Sequence, residues 1–182
     1  AFSIIRRSMQ PDPSALPPFS FTLDKFDVDF ERSEAQRGAP RLFAAHVTYR
    51  DTPTSPAESI TVGVNEPLSV DGAKVFLVGH GYAPHFIVKD STGAVVFDDS
   101  VVFLPQDGNF TSTGVIKVPD ADPSLGFSAL FLPTAAVDDV RGPHSTFPAA
   151  DYPAAFMSAW TGDLGLDSGV PQSVYSLDTS RM

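Results

Sequence analysis

The stretch Ile60-Thr-Val-Gly-Val-Asn-Glu-Pro-Leu-Ser-Val-Asp-Gly-Ala-Lys-Val-Phe-Leu-Val-Gly-His-Gly-Tyr-Ala-Pro84 reads as a β-hairpin. Ile60, Val62 and Val64 alternate with Thr61 and Gly63, which gives one strand an apolar face at period two. Pro67 pushes Glu66 out of the helical region and removes a backbone donor, so the ladder breaks just after Asn65. Asn65 is placed to hydrogen-bond the backbone released there, and its reading is that of a turn-fixing residue. Asp71-Gly72 tolerates the positive φ of a tight turn, and Ala73 to Val78 follows as an apolar run expected to be a strand buried on both faces.

Outward from this hairpin the same period recurs. Phe19, Phe21 and Leu23, then Phe26, Val28 and Phe30, alternate with polar residues around Asp24-Lys25 and predict one long bent strand or two short ones. Phe43 to Tyr49 is a further alternating set, followed by a Pro/Ser/Thr loop over 51–56. His85 to Lys89 and Ala94 to Phe97 predict a second hairpin, with Gly93 at a left-handed turn position. Val101 to Leu104, Gly114 to Val118 and Gly126 to Leu132 are further short strands, and another is expected near Ser173 to Leu177. One helix is expected, over Pro153 to Thr161: its proline suits a first helical position, Ala154 and Ala155 favour a helix, and Phe156 and Trp160 fall four apart. Four prolines in the first 18 residues predict an extended lead-in over 1–18, with a single β-rich domain over 19–182. The 17 Pro, 13 Gly and 15 Phe fit many turns between short aromatic-rich strands. The fold class expected is therefore all-β, an antiparallel β-sandwich or barrel-like domain with at most one or two short helices.

Charge and cysteine usage narrow the function. A net charge of -10 repels a phosphate backbone, and no segment interleaves basic with aromatic residues, so nucleic acid is not an expected partner. Positively charged partners are favoured. With no cysteine, the chain has neither disulfides nor thiolate chemistry. No run approaches the ~18 apolar residues of a spanning helix.

Several residues invite a chemical reading. His80 and His85 bracket Gly81-Tyr-Ala-Pro84 and could meet at a loop to ligate a metal, haem iron included. Their spacing is no recognised ligand pattern, and single histidines near strand ends are usually packed or hydrogen-bonded, which outweighs the ligand reading. His46 and His144 complete the set of four. Asp98-Asp99, Asp120 with Asp122, and Asp138-Asp139 could supply a glycosidase's carboxylate pair, but adjacent loop aspartates in an acidic chain are more often solvated turn residues. Asp163-x-Gly165-x-Asp167-x-Gly169 lacks the third acidic position and distal Glu of a calcium loop. Gly79-His80-Gly81 has no Gly-x-Ser-x-Gly nucleophile to serve. No catalytic residue and no metal site is assigned. Phe103-Leu104-Pro105 and Phe131-Leu132-Pro133 are parallel apolar strand ends stopped by proline, their phenylalanines expected mostly in the core.

The opening stretch also resembles a family pattern, Val-Asn-x-Pro-Leu with three further residues, Gly and an apolar strand, carried here by Val64, Asn65, Pro67, Leu68 and Gly72. It is similar to the ResB family, the membrane partner in System II cytochrome c maturation. Phe103 to Phe110, Phe131 to Ala135, and the tail from Trp160 to Leu166 and Leu177 to Met182 are similar to members from high-GC Gram-positive bacteria. The resemblance implies a soluble extracytoplasmic domain at the cell membrane, anchored through membrane helices outside this chain. It implies that the whole complex, with a ResC-like haem-handling partner, delivers haem and presents reduced apocytochrome c for covalent attachment. On that reading the domain is not an enzyme and binds no cofactor of its own, because the family's haem-handling histidines belong mostly to membrane helices. Asn65, Pro67, Leu68, Asp71 and Gly72 are then structural motif residues, and His80 and His85 stay secondary ligand candidates. The alternative is a secreted β-sandwich glycan-active enzyme using an acidic pair, or a simple binding module.

Overall fold

The computed structural model describes residues 18–169 and 171–182. The expected lead-in over 1–18 thus lies, Pro18 apart, outside the described residues. Within what the sequence reads as one domain, the chain packs as two compact units, the first ending at His80 and the second running Gly81–Met182. Both are built of antiparallel strands joined by turns, with 3-10 turns as the helical element among the described residues, so the fold is all-β as expected.

The first unit is a three-stranded sheet in the order β1 (Ser20–Phe30), β2 (Pro40–Arg50), β3 (Glu58–Gly63). Strand β1 is one long strand with a register shift between Leu23 and Lys25. The shift has a physical purpose. Apolar residues of β1 fall on odd numbers up to Leu23 and on even numbers from Phe26, so an unbroken strand would turn half of them to the wrong side. The extra residue restores the phase: Phe21 and Leu23 lie opposite Tyr49 and Val47, and Phe26 and Val28 lie opposite Ala45 and Phe43. One apolar face results, and its core is Ala45, Val47 and Val62 with Leu68 and Val70, flanked by Phe21, Phe26 and Tyr49. The other face is polar, with Thr48 donating to Asp24 at 2.6 Å and His46 lying 2.8 Å from Asp27 and 3.2 Å from Thr61.

The opening stretch folds as two turns rather than one long hairpin. Strand β3 pairs back onto β2, and Gly63 and Glu66 exchange backbone hydrogen bonds at 3.2 and 3.4 Å, closing a tight turn over Val64-Asn65. The hairpin is the short pair β4 (Leu68–Val70) and β5 (Ala73–Val75), joined by Asp71 at φ 45° and Gly72 at φ 72°. Two positive φ values in a two-residue loop match the right-handed twist of the strands they join. The strand expected through Val78 stops at Val75, and Phe76 and Val78 are exposed, with no strand paired to them among the described residues. The expectation of burial on both faces is corrected accordingly.

The second unit opens with the hairpin β6 (His85–Lys89) and β7 (Val95–Ser100), turned by Gly93 at φ 87° and an Asp90 carboxylate that accepts from Thr92 and Ala94. A four-stranded sheet follows in the order β13 (Ala154–Thr161), β10 (Leu125–Leu132), β9 (Ser112–Val118), β8 (Leu104–Pro105). A further hairpin, β11 (Ala135–Asp138) with β12 (Gly142–Ser145), was not expected from sequence. Its turn is held by Asp138, which accepts from the backbone of Val140 and Arg141 and from the Arg141 guanidinium. The core is Phe103, Ile116, Val118, Ala129 and Phe131, with Tyr82, Phe86 and Phe127 packed against it. Both Phe-Leu-Pro motifs deliver their phenylalanines there, the Phe103 and Phe131 rings meeting edge to face at 6.1 Å.

The helix expected over Pro153 to Thr161 is strand β13, paired residue for residue with β10 from Ala154↔Leu132 to Thr161↔Leu125. A spacing of four is ambiguous: it is one helical turn and also two strand periods, so Phe156 and Trp160 share a face either way. Eight rungs of pairing outweigh the modest helix preference of Ala154 and Ala155. The strand expected near Ser173 to Leu177 is instead irregular chain lying on the sheet, where Lys117 Nζ donates to the Ser173 carbonyl at 2.8 Å and Leu177 packs over Gly126.

Candidate functional site

In the first unit, His80 lies within an aromatic cluster, its ring centroid 4.9 Å from Phe43, 5.4 Å from Phe26 and 5.9 Å from Phe30. Its Nε2 is buried, and burial holds its pKa below the ordinary histidine value, so the ring is neutral at pH 7. His85, in the second unit, stands exposed on β6 with Nε2 2.7 Å from Asp98 and Nδ1 3.3 Å from Ser100. The two candidate ligands therefore answer to different partners: phenyl rings enclose one, and a cross-strand carboxylate and hydroxyl hold the other. His144 is buried on β12, with Nδ1 donating to the Gly142 carbonyl at 2.9 Å and Nε2 3.7 Å from Asp138. No group of three or more metal-ligating side chains comes together among the described residues.

Four of the aspartates singled out by sequence take local duties. Asp98 holds His85, Asp99 accepts from the Ser100 amide, and Asp138 binds Arg141. The amides and guanidinium around Asp138, the backbone bond from Arg141 first, bring its pKa down to about 2. Asp163 accepts from the Gly165 amide at 2.7 Å, ahead of a 3-10 turn bounded by left-handed Gly165 and Gly169. Of the motif residues, Leu68 is 1% exposed in the first core and Asp71-Gly72 make the hairpin turn. Asn65 is exposed, and among the described residues its side chain makes no hydrogen bond, so the turn it occupies is closed by backbone alone.

The feature that sequence reading missed is the outer face and free edge of the four-stranded sheet. Its strands place Thr113 and Val115 of β9, Ser128 and Leu130 of β10, and Phe156 and Ser158 of β13 side by side. With Tyr175 and Leu177 of the C-terminal chain, these residues line an open groove of about 380 Å³. Beside it, β13 is the terminal strand of the sheet, and Ala155 to Ala159 are all exposed. Phe156 and Met157 retain 43% and 54% of their surface in water. The period-two signal was present in Phe156, Ser158 and Trp160, but Ala and Met between them masked it. Charge is uneven as well: the second unit carries Lys89, Lys117, Arg141 and Arg181 against twelve aspartates, a net charge of -8 out of -10.

The geometry thus defines a helix-poor β protein with a groove of mixed polar and apolar lining and, among the described residues, an unpaired sheet edge. The model of the ResB-like family matches residues 3–182, and the chain belongs to that family, whose role lies in cytochrome c biogenesis and whose members are membrane-associated. No curated protein and no solved structure matches. Among the described residues no helix is long and apolar enough to cross a membrane.

Proposed function

We propose that this chain is the extracytoplasmic part of a System II cytochrome c maturation protein and that it presents unfolded apocytochrome c for haem attachment, beside a ResC-like partner that handles haem. The family match over residues 3–182 carries this reading. The site chemistry supports a scaffold rather than an enzyme: the four histidines and Asp98, Asp99, Asp138 and Asp163 are engaged in packing, turns and cross-strand pairs. Haem is cargo of the full complex on this reading, since His80 has its Nε2 buried and both ring nitrogens of His85 face Asp98 and Ser100. A chain without cysteine cannot trap the reduced Cys-x-x-Cys-His substrate as a mixed disulfide.

The net charge of -10 and the groove, where Leu130, Phe156 and Leu177 alternate with Thr113, Ser128 and Ser158, favour weak, salt-sensitive binding of a basic unfolded chain. Long-range attraction speeds encounter and is screened above ~0.15 M salt, where the Debye length is roughly 8 Å, while apolar contact persists. Fluorescence titration with a labelled apocytochrome segment tests the reading. The expected result is binding at low salt, weakened at high salt, and preference over the folded holoprotein. Equal affinity for the holoprotein, or no binding at low salt, overturns it.

A further inference from the structure

We propose that the outer edge of β13 receives an extended polypeptide segment as a fifth strand of the β13-β10-β9-β8 sheet, the segment being basic and apolar at alternate residues. The inference rests on the reading above for the natural partner, and on the sheet itself for the site.

Three observations carry it. First, among the described residues β13 pairs only with β10, and the outer backbone of Ala154–Thr161 makes no hydrogen bond. Eight residues span roughly 26 Å, long enough to template a partner strand of similar length. Second, the edge has none of the devices that protect a terminal strand. Ala-Ala-Phe-Met-Ser-Ala-Trp-Thr contains no charge and no proline, and its pairing with β10 runs without a bulge. Third, the side chains on both faces suit alternate apolar residues. An added strand extends the groove beyond Phe156 and Ser158 on one face and covers Met157 on the other.

Charge selects the occupant. Exposed Asp151 and Asp163 flank the strand at its two ends, in a unit of net charge -8. Two copies paired edge to edge would bring two units of net charge -8 together, so self-pairing is penalised. A segment with lysines or arginines is drawn to a unit of that net charge, and a segment rich in carboxylates is not.

The test uses the full chain and a labelled peptide alternating Val and Thr, with lysine pairs at both ends. Binding is expected to slow amide exchange at residues 155–159 by about tenfold. Peptides N-methylated at alternate residues should divide into one set that still binds and one that does not, as only one edge of an added strand bonds to the sheet. Met157→Lys and Met157→Glu alter an exposed side chain, and both should weaken the peptide about fivefold or more by placing a charge in the apolar contact. Stronger binding by Met157→Glu would show plain charge attraction and overturn the proposal. Protection elsewhere, or a dimer of the unliganded chain with this edge already protected, would overturn it too. If the apocytochrome segment binds and neither Met157 variant affects it, the edge is not the site and the proposed function stands. If the peptide adds to β13 and apocytochrome does not bind, the site stands and the proposed function fails.

Discussion

At the scale of single residues, the four histidines show how surroundings decide a role. His46 and His85 face aspartates at 2.8 and 2.7 Å, whereas His80 meets three phenyl rings and is kept neutral by burial. A histidine whose folded pKa is depressed binds fewer protons folded than unfolded, so stability falls as pH drops below the unfolded value near 6.5. His80→Phe keeps the ring packing and removes that titration. Denaturation midpoints compared at pH 7.5 and 5.5 should therefore show a smaller acid loss in the variant than in the wild type. For Asp138 the window lies lower: its depressed pKa stabilises the fold above about pH 4 and that contribution is lost as pH falls toward 2. Carboxyl NMR titration should place its midpoint near 2. The motif residues separate in the same way. Leu68→Ala should cost about 2–5 kcal/mol, because Leu68 is 1% exposed and its removal opens a core cavity. Asn65→Ala should stay within about 0.5 kcal/mol, since the Asn65 side chain bonds nothing among the described residues. Urea denaturation of the two variants measures the contrast.

At the scale of elements, period two explains most strands, and pairing explains the exceptions. The phase switch between Leu23 and Phe26 is visible in the sequence as two alternating sets, and the structure resolves it with one inserted residue. Strand β13 reads as a helix in the sequence, because its spacing fits both a helix and a strand and its eight partners on β10 lie more than twenty residues away. The hairpin β11–β12 escaped for a different reason: it carries Gly142 and Pro143, which read as loop, although the Asp138–Arg141 contacts that hold its turn are local. Gly114 shows how closely strand β9 approaches the core. A Cβ there would lie 2.7 Å from the ring of Phe103, which is fully buried and stacked on Phe86 at 5.9 Å. Gly114→Ala should therefore destabilise by about 1–3 kcal/mol through overpacking, measurable as a lowered denaturation midpoint.

At the scale of the whole molecule, the strands among the described residues fall into five small antiparallel sheets, and the far-UV circular dichroism should be that of sheet and turn. A helix-dominated spectrum would contradict the fold. Haem titration of the isolated chain should give no sharp six-coordinate Soret band, because neither His80 nor His85 presents an unengaged nitrogen at the surface. A band that disappears in His80→Ala or His85→Ala would overturn that expectation. The amino-acid sequence by itself determined the all-β class, the Asp71-Gly72 turn, the strongly acidic surface and the family, since alternation, turn chemistry, charge and motif are local properties of the chain. Tertiary structure alone decided which strands pair, that the opening stretch is two turns, that Pro153 to Thr161 is an edge strand, and where the groove lies. Those outcomes depend on partners distant along the chain, and pairing between such partners is what local pattern does not encode.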